Sequence, residues 1–103
     1  MSGVFRALAD PTRRRVLALL REQPMGAGEL ADQFDVSKPT MSAHFNILRG
    51  AGLIDAARQG KTIIYRLRMS VLEEALMELA QAVGLDMARG ENSAASATRE
   101  DKA

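Results

Sequence analysis

Residues 38–49 carry two sets of side chains with opposite chemistry. Met41, Phe45 and Leu48 recur at i, i+4 and i+7, the spacing of one apolar helical face. Lys38, Pro39, Ser42, Ala43 and Asn46 fall on the other side, and all are short or able to hydrogen-bond. A face of this kind suits approach to the floor of a DNA major groove, where base edges present donors, acceptors and thymine methyl groups. A helix that merely faces solvent more often carries Glu and Lys there. Lys38, Ser42 and Asn46 are candidates for hydrogen bonds to base edges or nearby phosphates, and Pro39 and Ala43 for apolar contact with a thymine methyl. Thr40 and His44 would position the helix on phosphates. His44 is the only histidine and lies between the two faces, which fits a hydrogen bond to protein or phosphate better than base reading or metal ligation.

The limits of this helix are written beside it. Ser37 is a good N-cap, because its hydroxyl can accept a backbone N–H that the first turn leaves unpaired, and Pro39 sits where a missing N–H costs nothing. Gly52 suits a left-handed C-cap. Residues 53–58 and 61–68 then flank Gln59-Gly60, and the second segment is rich in β-branched and aromatic residues. This predicts a two-stranded hairpin with its tip near Gln59, Gly60 and Lys61. Arg58, Lys61, Arg66 and Arg68 give it a positive edge, with Arg58 and Lys61 as candidate phosphate contacts while the hairpin enters or skirts the minor groove.

The remaining segments must hold that helix and hairpin in place. Residues 4–9 form a short apolar turn or helix. Asp10 can cap and Pro11 can open a helix over 11–22, burying Val16, Leu19 and Leu20 with Leu17 beside them; Pro24 ends it. Arg13, Arg14 and Arg15 sit in its first turn, where the macrodipole disfavours cations, which hints at phosphate contact or links to another helix. A third helix over 27–34 buries Leu30, Ala31 and Phe34. Asp35-Val36-Ser37 is then the turn of a helix-turn-helix, with Val36 pinned into the core. A last helix over 70–83 places Leu72, Leu76, Leu79 and Val83 in a narrow apolar seam, suited to a partner helix or to packing back on its own domain. The fold class is mainly α with a two-stranded β-hairpin, in the order α-α-α-α-β-β-α. Residues 1–85 form one winged helix-turn-helix domain, and residues 86–103 are a disordered polar tail without apolar period.

Charge is distributed unevenly. The net value of +1 resolves into zero over residues 1–36, +5 over 37–68 and −4 over 69–103. Positive charge is thus concentrated on the proposed groove-facing helix and hairpin, the footprint of a phosphate-binding surface. A chain of 103 residues is near the size at which a lone core is only modestly stable, and association with a second copy would relieve this. There is no run of eighteen apolar residues, no signal peptide and no lipidation motif, so the expectation is a cytoplasmic protein with no membrane partner. Cysteine is absent, which removes disulfides and thiolate metal sites. No Ser-His-acid set, paired carboxylates or phosphate-cradling Gly loop is present, so an enzyme is not expected.

Several blocks taken together resemble the ArsR/SmtB family of bacterial winged-helix repressors, and within it the SdpR-type autorepressor branch. They are Phe5-Arg6-Ala7-Leu8-Ala9-Asp10-Pro11-Thr12-Arg13-Arg14-Arg15, Glu29-Leu30-Ala31, Ser37-x-Pro39-Thr40-x-Ser42-x-His44-Phe45, Leu48-Arg49-x-Ala51-Gly52-Leu53-Ile54, and Gly60-Lys61 through Tyr65-Arg66-Leu67. No block is decisive alone, but their order and spacing over about residues 3–85 are specific. The resemblance implies a homodimer held by the first and last helices, through Val4, Phe5, Leu8, Leu72, Leu76, Leu79 and Val83. It also implies a double-stranded DNA operator of inverted-repeat form and repression of transcription until a release signal arrives.

The departures narrow that expectation. Metal-sensing relatives place cysteines at the start of the third helix, where this chain has Gly26, Ala27 and Gly28. Others bind zinc through Asp and His on the last helices, whereas here the last helix offers Glu73, Glu74 and Glu78 without a histidine, a poor donor set for zinc. No metal and no cofactor is therefore expected. Phe45 stands where Leu is usual, and Gly26 and Gly28 should weaken the third helix by roughly 1 kcal/mol per helical Gly. Two other readings stay open at this point: a winged helix that docks a protein partner without reading DNA, and a repressor released by a small organic effector at the dimer interface.

Overall fold

The computed structural model describes residues 2–86. The tail expected to be disordered lies, apart from Asp86, outside the described residues. The element order is α1 (Ser2–Leu8), α2 (Pro11–Glu22), β1 (Met25–Gly26), α3 (Ala27–Ala31), α4 (Lys38–Gly50), β2 (Ile54–Gln59), β3 (Thr62–Leu67) and α5 (Met69–Ala82). It is a winged helix-turn-helix, mainly helical with a small antiparallel sheet. Two compact units divide at Leu72–Glu73, within α5.

Local sequence rules account for the borders of α2 and α4. Asp10 accepts the Arg13 backbone N–H at 3.1 Å and Pro11 opens α2. Ser37 accepts the Thr40 backbone N–H at 3.3 Å, with Pro39 in the first turn of α4. At the far end Gly52 has φ +79°, its N–H donates to the Arg49 carbonyl at 2.9 Å, and the Leu53 N–H donates to the Leu48 carbonyl at 3.0 Å. Those two bonds form a Schellman motif, and the fully buried Leu48 and Leu53 supply its apolar contact. The turn out of α4 therefore fixes where β2 begins.

Met41, Phe45 and Leu48 are buried, as the period predicts, together with Val16, Leu17 and Leu20 of α2, Leu30 of α3, and Ile54 and Tyr65 of the sheet. Phe45 stacks obliquely on Tyr65 with ring centroids 5.0 Å apart, which ties α4 to the base of the hairpin. Leu17 takes the buried place expected for Leu19, which is half-exposed.

The expected hairpin is formed by β2 and β3, and the two-residue β1 joins it on the β3 side to give the order β1-β3-β2. Several other expectations are corrected. Met25 and Gly26 pair with Tyr65 and Ile64, and a Cβ at Gly26 would stand 3.2 Å from the Thr62 side chain, so a residue without one lets the chain come close. Gly26 is thus strand and cap residue rather than helix. α3 stops at Ala31, short of Phe34. Phe34 is half-exposed under the Arg15 guanidinium, 5.3 Å from the ring centroid. Val36 is 36% exposed, so the turn before α4 is not pinned by it.

The arginines at the start of α2 are explained by α1. A seven-residue helix leaves its last carbonyls without intrahelical partners. Arg13 Nε donates to the Ala7 carbonyl at 2.8 Å and Nη2 to the Arg6 carbonyl at 3.0 Å, while Arg14 Nη1 donates to the Leu8 carbonyl at 2.8 Å. The cations are repaid at the C-terminal end of one helix for their unfavourable place at the N-terminal end of the next.

Two glycines two residues apart give opposite predictions. Gly52→Ala should destabilise the fold by about 1–2 kcal/mol, the left-handed penalty, since an added Cβ meets only Val71 at 3.9 Å. Gly50→Ala, helical and with nothing within 4 Å, should stabilise by about 0.5–1 kcal/mol; denaturant midpoints measure both. The Arg13 N–H holds the Asp10 carboxyl below its ordinary 3.8, desolvation opposing and positive charge on His44, the Thr12 N–H and the Arg13 charge assisting. A depressed carboxyl stabilises the fold fully above that ordinary value and loses its contribution as pH falls through the depressed one. The stability advantage of wild type over Asp10→Asn should therefore be constant near neutrality and shrink below about pH 3.8. An advantage that grows on acidification would contradict the cap.

Candidate nucleic-acid interface

The face of α4 opposite its buried seam is open. Lys38, Pro39, Thr40, Ser42, Ala43 and Asn46 are all exposed, so the structure brings these six predicted residues together on one surface. Two of them are already engaged. Thr40 Oγ1 accepts the Ser37 hydroxyl at 2.9 Å, so its oxygen belongs partly to the cap. Lys38 Nζ pairs with Asp32 Oδ1 at 3.2 Å between side chains about three-quarters exposed. Such a pair is worth less than about 1 kcal/mol and yields readily to a phosphate.

His44 is placed differently from its neighbours. Its side chain is only 15% exposed, with Nδ1 3.3 Å from Arg13 Nη1 and 4.0 Å from Asp10 Oδ2. Arginine can only donate, so this contact is a hydrogen bond when Nδ1 carries no proton. The ring thus faces the start of α2.

The hairpin extends beside α4 with Arg58 paired opposite Ile63 and Gln59 opposite Thr62. Gly60, at φ +62°, is the first of two turn residues, and Lys61 is the second. Arg58 and Lys61 are exposed at this tip. Among the described residues, Arg49, Arg58, Lys61, Arg66 and Arg68 make no side-chain hydrogen bond or ion pair. In contrast, Arg13, Arg14, Arg21 and Lys38 all have protein partners. Among the described residues the only other cation whose side chain has no such partner and no ring contact is Arg6, so five of these six fall between residues 49 and 68.

Arg49 and Arg68 were not singled out from sequence as contacts. They line an open groove of about 550 Å³ beside the C-terminal half of α4, whose floor includes Gly50, Gly52 and Ala56 and whose wall also carries Asn46 and Asp55. The signal that could have found them is the charge partition, because residues 37–68 hold six bases against Asp55 alone.

The residues expected at a dimer interface divide by burial. Val4 is 7% exposed and belongs to the protomer core, whereas Phe5 and Leu8 are half-buried. On α5, Leu72 is half-buried, while Leu76 and Leu79 are 40% and 44% exposed, and Val83, one residue past its end, is 63% exposed; Ala75 and Ala80 are the buried residues of that helix. The start of α3 offers no metal donor, since Gly26, Ala27 and Gly28 have no ligating side chain. Among the described residues no trio of His, Cys, Asp and Glu gathers closely enough to hold a metal. A resident metal of the family's thiolate or histidine kind does not fit this chain. No helix among the described residues is long and apolar enough to cross a membrane.

A capped helix with a small exposed face, preceded by a helix-turn and followed by a basic hairpin, defines a winged-helix DNA-binding protein. A family model described as a helix-turn-helix domain matches residues 8–56. The transcriptional repressor SdpR of Bacillus subtilis is 45% identical over 76 residues, covering 74% of this chain and 84% of that protein. The HTH-type transcriptional regulator CmtR of Mycobacterium tuberculosis is 42% identical over 83 residues, covering 81% of this chain and 70% of that one. Among solved structures, an ArsR family transcriptional regulator superposes with TM-score 0.74 at 34% identity, covering 81% of this chain and 91% of its own. An ArsR-like transcriptional regulator from Rhodococcus superposes with TM-score 0.71 at 28% identity, covering 96% and 89%. The chain belongs to the ArsR/SmtB family of helix-turn-helix regulators, a family of transcriptional regulators and not of enzymes.

The unpartnered cations make a direct prediction. Lys61→Ala should weaken binding to every duplex alike and reduce the slope of log affinity against log salt by about 1. An unchanged slope would remove the hairpin tip from phosphate contact.

Proposed function

We propose that the protein is a homodimeric repressor that binds an inverted-repeat operator, represses its own gene and works without a thiolate metal site. The observation that carries this reading is the pairing of two surfaces on adjoining elements. The exposed face of α4 is built of small and hydrogen-bonding residues, and beside it stand cations that the fold itself leaves without partners. A protein-docking surface would instead favour large aromatic anchors, and none is exposed on that face.

In this reading α4 of each protomer enters the major groove, with half-sites separated by one helical turn, about 34 Å, or a little more. Lys38, Ser42 and Asn46 reach base edges or adjacent phosphates; Pro39 and Ala43 meet thymine methyls. Thr40, Arg58 and Lys61 set the register on phosphates, and Arg49 and Arg68 extend the same track. Dimerisation uses Phe5 and Leu8 of α1, with Val4 beside them, together with Leu72, Leu76 and Leu79 of α5 and Val83 just past its end. The similarity to a protein named as a repressor supports the direction of regulation. Residues 1–85 act together as the DNA-binding and dimerisation domain, in the cytoplasm.

Selection of bound duplexes from a random DNA pool by chelator-treated protein tests the reading. It should return an inverted repeat with affinity undiminished by chelator, and Asn46→Ala should change the preferred bases within each half-site. Recovery of salt-sensitive binding without sequence preference would overturn groove reading. Leu76→Glu with Leu79→Glu should leave a monomer by sedimentation and weaken operator binding by about tenfold or more, through loss of the second half-site. A doubly substituted protein that stays dimeric would exclude α5 from the interface.

A further inference from the structure

The guanidinium of Arg13, carried by α2, reaches both α1 and α4. Its Nε and Nη2 hold the Ala7 and Arg6 carbonyls at the end of α1, its backbone belongs to the first turn of α2, and its Nη1 meets His44 Nδ1 in the middle of α4. Asp10 closes the arrangement, since its carboxylate accepts the Arg13 N–H at 3.1 Å and lies 4.0 Å from His44 Nδ1. Capping of α1 explains two of these bonds. It does not explain the third, which spends a planar, rigid donor on the groove-reading helix.

We infer that Arg13 and His44 are positioning residues that fix the angle between α1 and α4, and thereby the separation at which the two recognition helices of a dimer meet DNA. This rests on the dimeric reading above, in which α1 lies at the two-fold interface. Arg13 is suited to the task because its donors diverge in one plane. Two are anchored on the main chain of α1, so the third arrives at His44 from a fixed direction. His44 is 15% exposed and lies on α4 between the buried Met41, Phe45 and Leu48 and the open face, so the Arg13 contact acts on a side chain largely enclosed by the protomer. A change of tilt at α4 is repeated in the other protomer by the two-fold axis, so a small rotation acts twice on half-site separation.

The test measures affinity for duplexes in which the two half-sites of the selected operator keep their sequence while the spacer is shortened or lengthened by one base pair. The readout is the ratio between the best spacer and its neighbours, within each protein. Arg13→Gln and His44→Leu should each lower that ratio on the order of tenfold, the size of a lost side-chain coupling. Arg13→Lys, with a single donor centre, should lower it as well. His44→Asn should restore it, because the Asn carbonyl oxygen occupies nearly the place of Nδ1 and still accepts from Arg13. A loss of affinity spread equally over all spacers, with the ratio unchanged, would show that these residues only stabilise the fold or touch phosphate and would overturn the inference while leaving the dimeric reading intact. A wild-type protein indifferent to spacer length would overturn both. Since Arg13→Gln also uncaps α1, the two His44 variants decide the matter if it does not fold.

Discussion

Burial of one seam of α4 is the constraint from which the rest follows. Met41, Phe45 and Leu48 are 0%, 3% and 0% exposed, so rotation of α4 about its axis would bring apolar surface into water at a cost of about 1.5–3 kcal/mol per side chain. With rotation fixed, the residues that face outward are fixed too, and they are the small ones. Phe45 adds a second tie by stacking on Tyr65, which makes the base of the hairpin part of the same core. The position of the basic tip relative to the helix is therefore a packing outcome and needs no contact between the two DNA-facing surfaces.

The charged residues are sorted by what the fold does with them. Arg13 and Arg14 terminate α1, Arg15 covers Phe34, and Arg21 pairs loosely with Glu22. These cations work inside the protomer. The later bases have no such work and cluster on one side of the sequence between residues 49 and 68. Net charge conceals this division along the sequence, because the −4 of residues 69–103 offsets the +5 of residues 37–68.

Much of this was legible in the sequence because the governing rules are local. Ser37-Lys38-Pro39 and Asp10-Pro11 mark helix starts by a mechanism that acts within four residues, and Gly52 marks a stop by its φ angle alone. The groove-facing residues follow from the 3.6-residue period. What escaped depends on chain partners far away in sequence. A two-residue strand has no period, and β1 exists because β3 has a free edge at Ile64 and Tyr65. Phe34 and Val36 look apolar enough for the core, yet Arg15 takes the first as a cation partner and the second stays at the surface. His44 could not be separated from its exposed neighbours by helical position, since its orientation is set by Arg13, thirty-one residues earlier. The unfavourable place of the arginines in α2 was the visible trace of that contact.

The brevity of β1 has a mechanical result for the hairpin. Pairing of Met25 and Gly26 reaches only Tyr65 and Ile64, so the hairpin is clamped on both flanks at its base, while Ile63 and Thr62 are held from the β2 side alone. Load applied at Lys61 therefore acts on a cantilever whose fixed end lies at Gly26 and Ile64. Bending is taken up in the two-stranded outer part, and the Phe45–Tyr65 stack behind the clamp is spared. A tip mounted in this way can shift while the helix beside it keeps its angle.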